Sequence, residues 1–516
     1  MTDVAAILDC YTVEPSGLGV PPYLSTYARA AYGALATAFP GTDVRYLTID
    51  DVRWCLNDGQ PYTQPPLSDP LTYSTTVSRN EALKILANAV MTVVIAGDAV
   101  PSVHLQAQNG SVEEIAQALA CVRGRRVLLG PLASWLLGDP GRYAGLFDAV
   151  HTHTVTSADL GAGSRAAAPY ARLTADRVPY EGLISQLGWR PVAEVELYRG
   201  CTRRRFCSFC NEPVKASHVT FRGPDDVLSE TAALSAAGVR NMRLGQQTCF
   251  FSYLNRDAAA IERLLAGIRE NCPDLEVLHI DNADPLAVAS RTGTVIARLV
   301  ARYCSEGNCA PMGIESFDPA VIEANALTCT PQVLMRAIAN VNEAGAQMGP
   351  RGLPVLLPGL NLIYGLPGET HRTHYENLAG LVRIFDQGYL CHRVNVRRAR
   401  TYRGTPLATM QQALPPPSAE HFDTWKADIS YVFDQPMKKR VYPSGHTIPG
   451  LHSFFVTTRG TWHRRLGSYS IQVVEHGTAR PLLEDAEMTV TGHEPRYLVG
   501  ERNGTAAANA GGLSSG

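Results

Sequence analysis

The chain has 516 residues, of which 45% are apolar and 18% charged, and its formal net charge is −2. This length exceeds one domain, and the composition is that of an ordinary globular protein, which excludes a disordered or fibrous chain. So small a net charge excludes a global field for nucleic acid or an anionic membrane, leaving only local patches.

Met1-Thr-Asp3 lacks a basic n-region and no apolar run reaches membrane-spanning length. The expected location is therefore cytoplasmic, where the twelve cysteines stay reduced and free to bind metal. Residues 1–160 read as an alternating β/α domain. Val4–Leu8, Val44–Ile49, Thr92–Ala96 and Arg126–Leu129 are strand-like runs, and Tyr23–Phe39 carries apolar residues at helical spacing. Strands separated by helices imply a Rossmann-like parallel sheet, with ligands beyond the carboxyl ends of its strands. The loops Asp9–Pro22, Gly97–Gly110 and Gly130–Ala133 would meet there. Residues 161–190, opening on Gly161-Ala-Gly-Ser-Arg165, read as a linker.

A second β/α series fills residues 191–410. It starts with a strand-like run from Pro191 to Tyr198 that leads into Cys201-Thr-Arg-Arg-Arg-Phe-Cys207-Ser-Phe-Cys210. Three thiols within ten residues are good ligands for a soft metal centre but leave a tetrahedral site one ligand short. One reading is a zinc site closed by His218 or another cysteine. The other is a [4Fe-4S] cluster with one open iron, able to bind S-adenosylmethionine (SAM). Zinc sites usually show paired C-x-x-C units, which this spacing lacks.

Further strand-like runs follow at Asn241–Leu244, Leu275–Ile280, Ala310–Ile314, Leu360–Tyr364 and Arg393–Val396. The stretches Asp225–Ala237, Ala258–Asn271, Pro285–Cys304, Thr330–Ala344 and Thr370–Phe385 between them read as helices. The helix from Thr330 is well punctuated, with Thr330 as N-cap, Pro331 at the first position and Gly345 just past the end. Chemistry on such barrels sits at the carboxyl ends of the strands. These ends are the cysteine loop, Gly245-Gln246-Gln247, Asp281-Asn282, Gly313-Ile-Glu315-Ser316, the segment Asn361–Glu369 and Asn395-Val-Arg397-Arg398. Asp281 and Asn282 could instead cap the next helix, and Arg397 and Arg398 could pair with carboxylates. Walker and H-E-x-x-H patterns are absent, and the one G-x-S-x-G match, Gly512-Leu-Ser-Ser-Gly516, lies in the small-residue tail with no strand-like run before it.

The cysteine loop resembles the radical SAM superfamily, whose common pattern is C-x3-C-x2-C with an aromatic before the last cysteine. Phe209 holds that place, while the first gap here is five residues. Asn361-Leu-Ile363-Tyr-Gly365-Leu-Pro-Gly368-Glu369 resembles the family's G-x-I-x-G-x-x-G-E segment against the adenine, with Asn361 replacing the first glycine. The resemblance spans roughly residues 190–407. It implies a partial (βα)6 barrel and a [4Fe-4S] cluster held by Cys201, Cys207 and Cys210, which are also the catalytic set. It also implies SAM contacts from Phe209, Gln246, Glu315, Ser316, Asn361, Ile363, Gly365 and Gly368. Gln246 stands where the family often has a G-G-E contact to the SAM amino group; only one glycine and no glutamate are present. Such enzymes take an electron from a flavodoxin or ferredoxin.

An α/β domain ahead of such a barrel resembles the cobalamin-binding class, and Glu14–Tyr23 resembles uncharacterised archaeal-type members. Cobalamin is thus a further cofactor the resemblance allows, although the D-x-H-x-x-G motif is absent. Cys10, Cys55 and Cys121 raise a rival reading, the second cluster of the superfamily's methylthiotransferases; buried free thiols are the commoner explanation. Cys304 and Cys309, spaced C-x4-C, could suggest another metal, but a free thiol at a helix end is the commoner explanation.

Residues 411–500 begin with a break at Leu414-Pro-Pro-Pro-Ser418, continue with a helix around His421–Phe433, and end in short alternating runs such as Tyr469–Val474 and Met488–Thr491. This reads as a small β-rich domain, faintly TRAM-like, which would suit an RNA substrate. Residues 501–516 are expected to be a disordered tail. The expected class is therefore α/β. The expected function is a radical SAM enzyme acting on a small molecule or RNA, by cobalamin-dependent methyl transfer or C–H functionalisation. The alternatives are an RNA-modifying methylthiotransferase-like enzyme and a non-catalytic zinc-binding interaction protein.

Overall fold

The computed structural model describes residues 3–12, 21–60, 76–97, 109–133, 145–161, 176–410 and 415–503. The Glu14–Tyr23 resemblance up to residue 20, most of the loops expected after the first and third N-terminal strands, residues 162–165 of the linker start, Leu414 of the proline break and residues 504–516 of the tail lie outside them.

The first six strands are β1 (Val4–Asp9), β2 (Tyr23–Leu24), β3 (Asp43–Thr48), β4 (Ala89–Ile95), β5 (Arg125–Leu129) and β6 (Ala149–Val150). Five of them form one parallel sheet in the order β3-β1-β4-β5-β6. Their runs are apolar because helices cover both faces, giving one core around Ala6, Leu8 and Val94 and another around Ile7, Val93 and Leu129. β2 departs from the expected pattern. Tyr23 and Leu24 precede the helix Thr26–Ala38 rather than open it, and they pair with the next sheet. Ser25, whose hydroxyl accepts from the Ala28 amide, sets the helix start.

The segment 176–190, expected within a linker, includes a short helix (Glu181–Ile184), and Leu183, Leu187 and Trp189 are buried against the N-terminal sheet. The central strands are β7 (Val192–Glu196), β8 (Tyr198–Arg199), β9 (Thr220–Phe221), β10 (Asn241–Gly245), β11 (Val277–Ile280), β12 (Asn308–Glu315), β13 (Leu356–Tyr364) and β14 (Val394–Arg398). β7, β10 and β11 run parallel beside β2, and β12, β13 and β14 form a second parallel set. The bridge Ala283–Met312 joins the two. This is the partial six-unit barrel.

Its helices follow the expected ranges within a residue or two, with one break. The run from Pro285 splits into Pro285–Val288 and Arg291–Tyr303, because Ser290 caps a new helix by accepting from Gly293. Thr330 caps the helix Pro331–Gly345 as expected. Gly345, however, is its last residue, needed because a Cβ there would collide with Leu356.

Inside the barrel, Arg243 pairs with Glu194 at 3.1 Å and with Asp281, all three fully buried. The helix Thr26–Ala38 is locked onto the barrel by Arg29, which pairs with Glu230 at 3.0 Å and donates to the Leu24 carbonyl at 2.8 Å. The C-terminal helices Ser418–Ile429 and Gln435–Val441 flank a turn of π-helix at Ser430–Asp434.

The remaining strands, β15 (Thr447–Thr457), β16 (Gly460–Arg464), β17 (Gln472–His476), β18 (Asp485–His493) and β19 (Leu498–Arg502), close into a small barrel in the order β15-β16-β17-β19-β18. Its β16–β17 connection reaches the central barrel. The Tyr23 hydroxyl donates to the Gly467 carbonyl at 3.0 Å, and the Ser468 amide donates to His279 Nδ1 at 2.9 Å. No helix among the described residues is long and apolar enough to cross a membrane.

Candidate radical SAM site

The cysteine loop leaves the carboxyl end of β7 through β8. Gly200 makes the turn with φ +87°, and a Cβ there would lie 2.7 Å from the His218 carbonyl oxygen. Cys207 is buried, while Cys201 and Cys210 are partly open. Burial pushes all three thiols up, Cys210 to about 12, and the Arg203 guanidinium opposes this at Cys201 and Cys207. Cys210 feels both other thiols, so the three share one electrostatic neighbourhood. Arg203 donates to Cys207 Sγ at 3.1 Å and is held by both oxygens of Asp284, each at 3.0 Å. Arg204 and Arg205 are exposed.

One buried asparagine ties this loop to the β13 loop. Asn325 accepts from the Ser208 hydroxyl at 2.7 Å and donates to the Pro367 carbonyl at 2.8 Å, and its own carbonyl accepts from the Ser208 amide at 3.0 Å. An apolar cluster reinforces the join: Val321, Leu366 and Leu407 pack with Phe209, Ile363 and Ala399. Gly365 and Gly368 take φ of +91° and +86°, which only glycine adopts freely. Glu369 fixes that turn, accepting from the Gly365 amide with one oxygen and from the Ser418 amide at 2.9 Å with the other.

Glu315 closes the next strand at a β-bulge, with φ +63°. Its Oε2 is buried without a hydrogen-bond partner. Burial pushes its carboxyl up to about 7, with Arg203 and Arg397 opposing. Gly313 makes room for that side chain, since a Cβ there would strike Glu315 Oε1.

A sequence profile of the radical SAM superfamily matches residues 195–378. An uncharacterised protein of Methanocaldococcus jannaschii is 33% identical over 506 residues, covering 91% of this chain and 88% of that protein. A second, from Archaeoglobus fulgidus, is 32% identical over 503 residues, covering 95% and 88%. The chain belongs to the radical SAM superfamily. The ribosomal protein uS12 methylthiotransferase RimO of Streptomyces griseus matches only in part, 29% identical over 197 residues, or 37% of this chain and 36% of that one. Among solved structures, radical S-adenosylmethionine methyltransferase TsrM from Kitasatospora setae, with cobalamin and a [4Fe-4S] cluster bound, aligns with 79% of this chain and 74% of its own at 15% identity and TM-score 0.48. The cobalamin-dependent S-adenosylmethionine radical enzyme OxsB aligns with 84% and 56% at 10% identity and TM-score 0.44.

The cofactors of a radical SAM domain are a [4Fe-4S] cluster and SAM. The donor set fits a cluster better than a single zinc. Thiolates around one zinc lie roughly 3.8 Å apart, from a Zn–S bond of about 2.3 Å. Among the described residues, the set of three metal-type ligand atoms within 4.8 Å of one another is His151, His153 and Asp159, not the three cysteines. His218, a possible fourth zinc ligand, is exposed and bonded to the Ser217 hydroxyl at 3.2 Å.

The other expected contacts divide. Gln246 stands at the end of β10 with φ +67°, and its Oε1 accepts from Thr26 at 2.6 Å. This hydrogen bond ties the N-terminal domain to the barrel. Asn361 is half-buried, in register with Asn395. Ser316 is fully buried, its hydroxyl accepting from the Asp318 amide at 3.1 Å and meeting Asn377. Asp281 is not a helix cap, because it pairs with Arg243, and Asp284 caps the helix instead. Arg398 lies over the Phe422 ring, 3.8 Å from Asp423. Cys10, Cys55 and Cys121 each donate to a different backbone carbonyl. Cys304 and Cys309 are both buried.

Sequence reasoning missed Asn325 and Asp284, and also Cys329, which is buried close enough to feel Cys207, Asp284 and Arg203. A lone asparagine or aspartate in a loop carries no local signal; Asp284-Pro285 as a helix start was the one available clue.

Proposed function

We propose that this chain is a radical SAM enzyme whose Cys201, Cys207 and Cys210 hold the [4Fe-4S] cluster and whose β13 loop receives the adenosyl part of SAM. The observation that carries this is the Asn325 tie. It draws the thiol loop and the Gly365–Gly368 turn together at the carboxyl end of the barrel, with Phe209 and Ile363 in one apolar cluster. When bound, the cluster supplies one electron that breaks a carbon–sulfur bond of SAM and starts radical chemistry.

The chain's own residues prepare that event. Arg203, held by Asp284, brings positive charge to Cys207 and favours its thiolate. Phe209 and Ile363 supply an apolar wall that excludes water. The open backbone at Gly365 lets a flat ring approach. Glu315, at the end of β12, offers a carboxyl group for the ribose or the amino acid end of SAM. The buried Glu194–Arg243–Asp281 set holds β7, β10 and β11 in fixed register beneath.

The finer reading adds cobalamin on the N-terminal sheet and methyl transfer or C–H functionalisation of a small molecule. A parallel sheet directly ahead of the barrel supports it, as does the bond from Thr26 to Gln246, which brings the two domains together at a strand end. The electron would come from a flavodoxin or ferredoxin. The test is anaerobic: the reconstituted protein, given SAM and a strong one-electron reductant, should release 5'-deoxyadenosine, and Cys207→Ser should not. A wild-type protein that carries iron and sulfide yet releases none would refute the reading. Retention of added cobalamin through gel filtration tests the finer part.

A further inference from the structure

Beyond this reading, the molecule holds a positively charged cavity at the other end of β7. It lies where the N-terminal domain, the segment before β7 and the C-terminal barrel meet. Its volume is about 110 Å³, against roughly 10–15 Å³ for a single water by the same measure. Arg464 on β16 and Trp189 lie inside, and Arg79 and Arg190 stand at the exposed rim.

Arg464 is the unusual group. It is 6% exposed, and among the described residues its Nε has no hydrogen-bond partner and no carboxylate pairs with it. Its visible contact is the face of Phe454, 4.1 Å below the guanidinium carbon. Burial pulls its pKa down to about 10, opposed only by Tyr23. The other buried arginines of this chain do have partners. Arg29 and Arg222 pair with Glu230, Arg53 with Asp50 and Glu114, Arg243 with Glu194 and Asp281, and Arg465 with Glu306. A desolvated guanidinium without a counter-charge is costly, and its five donors suit an oxyanion.

Trp189 adds a second orphan donor, since its Nε1 is buried without a partner. His452, pushed down to about 3 by burial and by Arg464 and Arg190, lines the cavity uncharged. No carboxylate is among the described residues lining the cavity, and Asp485, which pairs with Arg190 at 3.2 Å, is largely exposed, so the interior keeps its positive charge.

We propose that this cavity binds a phosphate group, with Arg464 and Trp189 donating to it from within and Arg190 closing the rim. Three arginines around one small cavity suit a dianion better than a single carboxylate. Trp189 and Arg190 precede β7, whereas the cysteine loop follows it, so roughly 13 Å of strand separates the two sites. The phosphate is therefore not the group undergoing reaction. It acts as an effector or as the anchored end of a ligand.

The test uses the full-length, cluster-loaded protein in phosphate-free buffer with inorganic phosphate as probe, by equilibrium dialysis and calorimetry. The expected result is saturable binding at about one per chain, weakened at least about tenfold by Arg464→Met and by Trp189→Phe. Arg190→Ala, at the exposed rim, should weaken it too, and it keeps the test open should Arg464→Met fail to fold. A phosphorylated nucleoside that displaces the bound phosphate would identify an anchored monoester as the source, whereas saturable phosphate binding that no phosphorylated nucleoside displaces would identify the free ion. Unchanged binding in these variants, no binding to the wild type, or the same heat from potassium chloride at matched ionic strength would overturn the proposal.

Discussion

Replacing Asn325 with alanine tests whether one side chain couples the thiol loop to the glycine loop. Asn325 is fully buried, and its amide makes three side-chain hydrogen bonds: from Ser208 Oγ at 2.7 Å, to Pro367 O at 2.8 Å and to Val321 O at 2.9 Å. At about 1 kcal/mol net for each bond, the loss is about 3 kcal/mol, before any cavity left behind. Two of the partners freed are on the loops themselves, so the damage falls on their relative position. Asn325→Ala should therefore unfold about 3 kcal/mol more easily in urea and keep less iron after reconstitution and desalting. Asn325→Asp, which retains the acceptor for Ser208 but loses the donor to Pro367, should fall between. A variant within about 1 kcal/mol of wild type that keeps its full iron would show that the loops are held together by something else.

Other outcomes follow from the same structure. Asp9 is buried and pushed up to about 7, with Tyr11 and Tyr46 as its hydrogen-bond partners. The folded state therefore takes up its proton more readily than the unfolded one. That contribution is present below about pH 4 and lost as pH rises through about 7. Urea unfolding at pH 5 and 8 should show a smaller drop in Asp9→Asn than in wild type; equal drops would contradict the assignment. Glu194→Leu leaves Arg243 with Asp281 alone in a dry interior and should cost about 3–5 kcal/mol; a loss under about 1 kcal/mol would mean water reaches that set. Glu315→Ala should leave iron content unchanged and raise the KM for SAM about tenfold, a difference of about 1.4 kcal/mol; an unchanged KM would remove Glu315 from the site.

Much of this was legible because it is written locally. Thr330-Pro331 announces a helix, the apolar runs at 92–96 and 126–129 announce buried parallel strands, and the two motifs near 201 and 361 carry the radical SAM resemblance. What was not legible depends on partners far along the chain. Tyr23 and Leu24 read as helix by spacing, yet β7, about 170 residues later, pairs with them as strand. Ser316 stands at a strand end, and its contact with Asn377, about 60 residues later, has no local signal. Gly345 looks like a helix stop, and Leu356 makes it a contact point instead. Arg464 looks like one of many basic residues, and its missing counter-charge emerges only once the barrel has closed around it.

The central claim is met most directly by iron, sulfide and zinc analysis of protein reconstituted without oxygen, beside Cys201→Ser, Cys207→Ser and Cys210→Ser. The account predicts about four irons and four sulfides per wild-type chain and a near-complete loss of both in each variant. One zinc per chain with no sulfide, or full iron retained in the three variants, would contradict it.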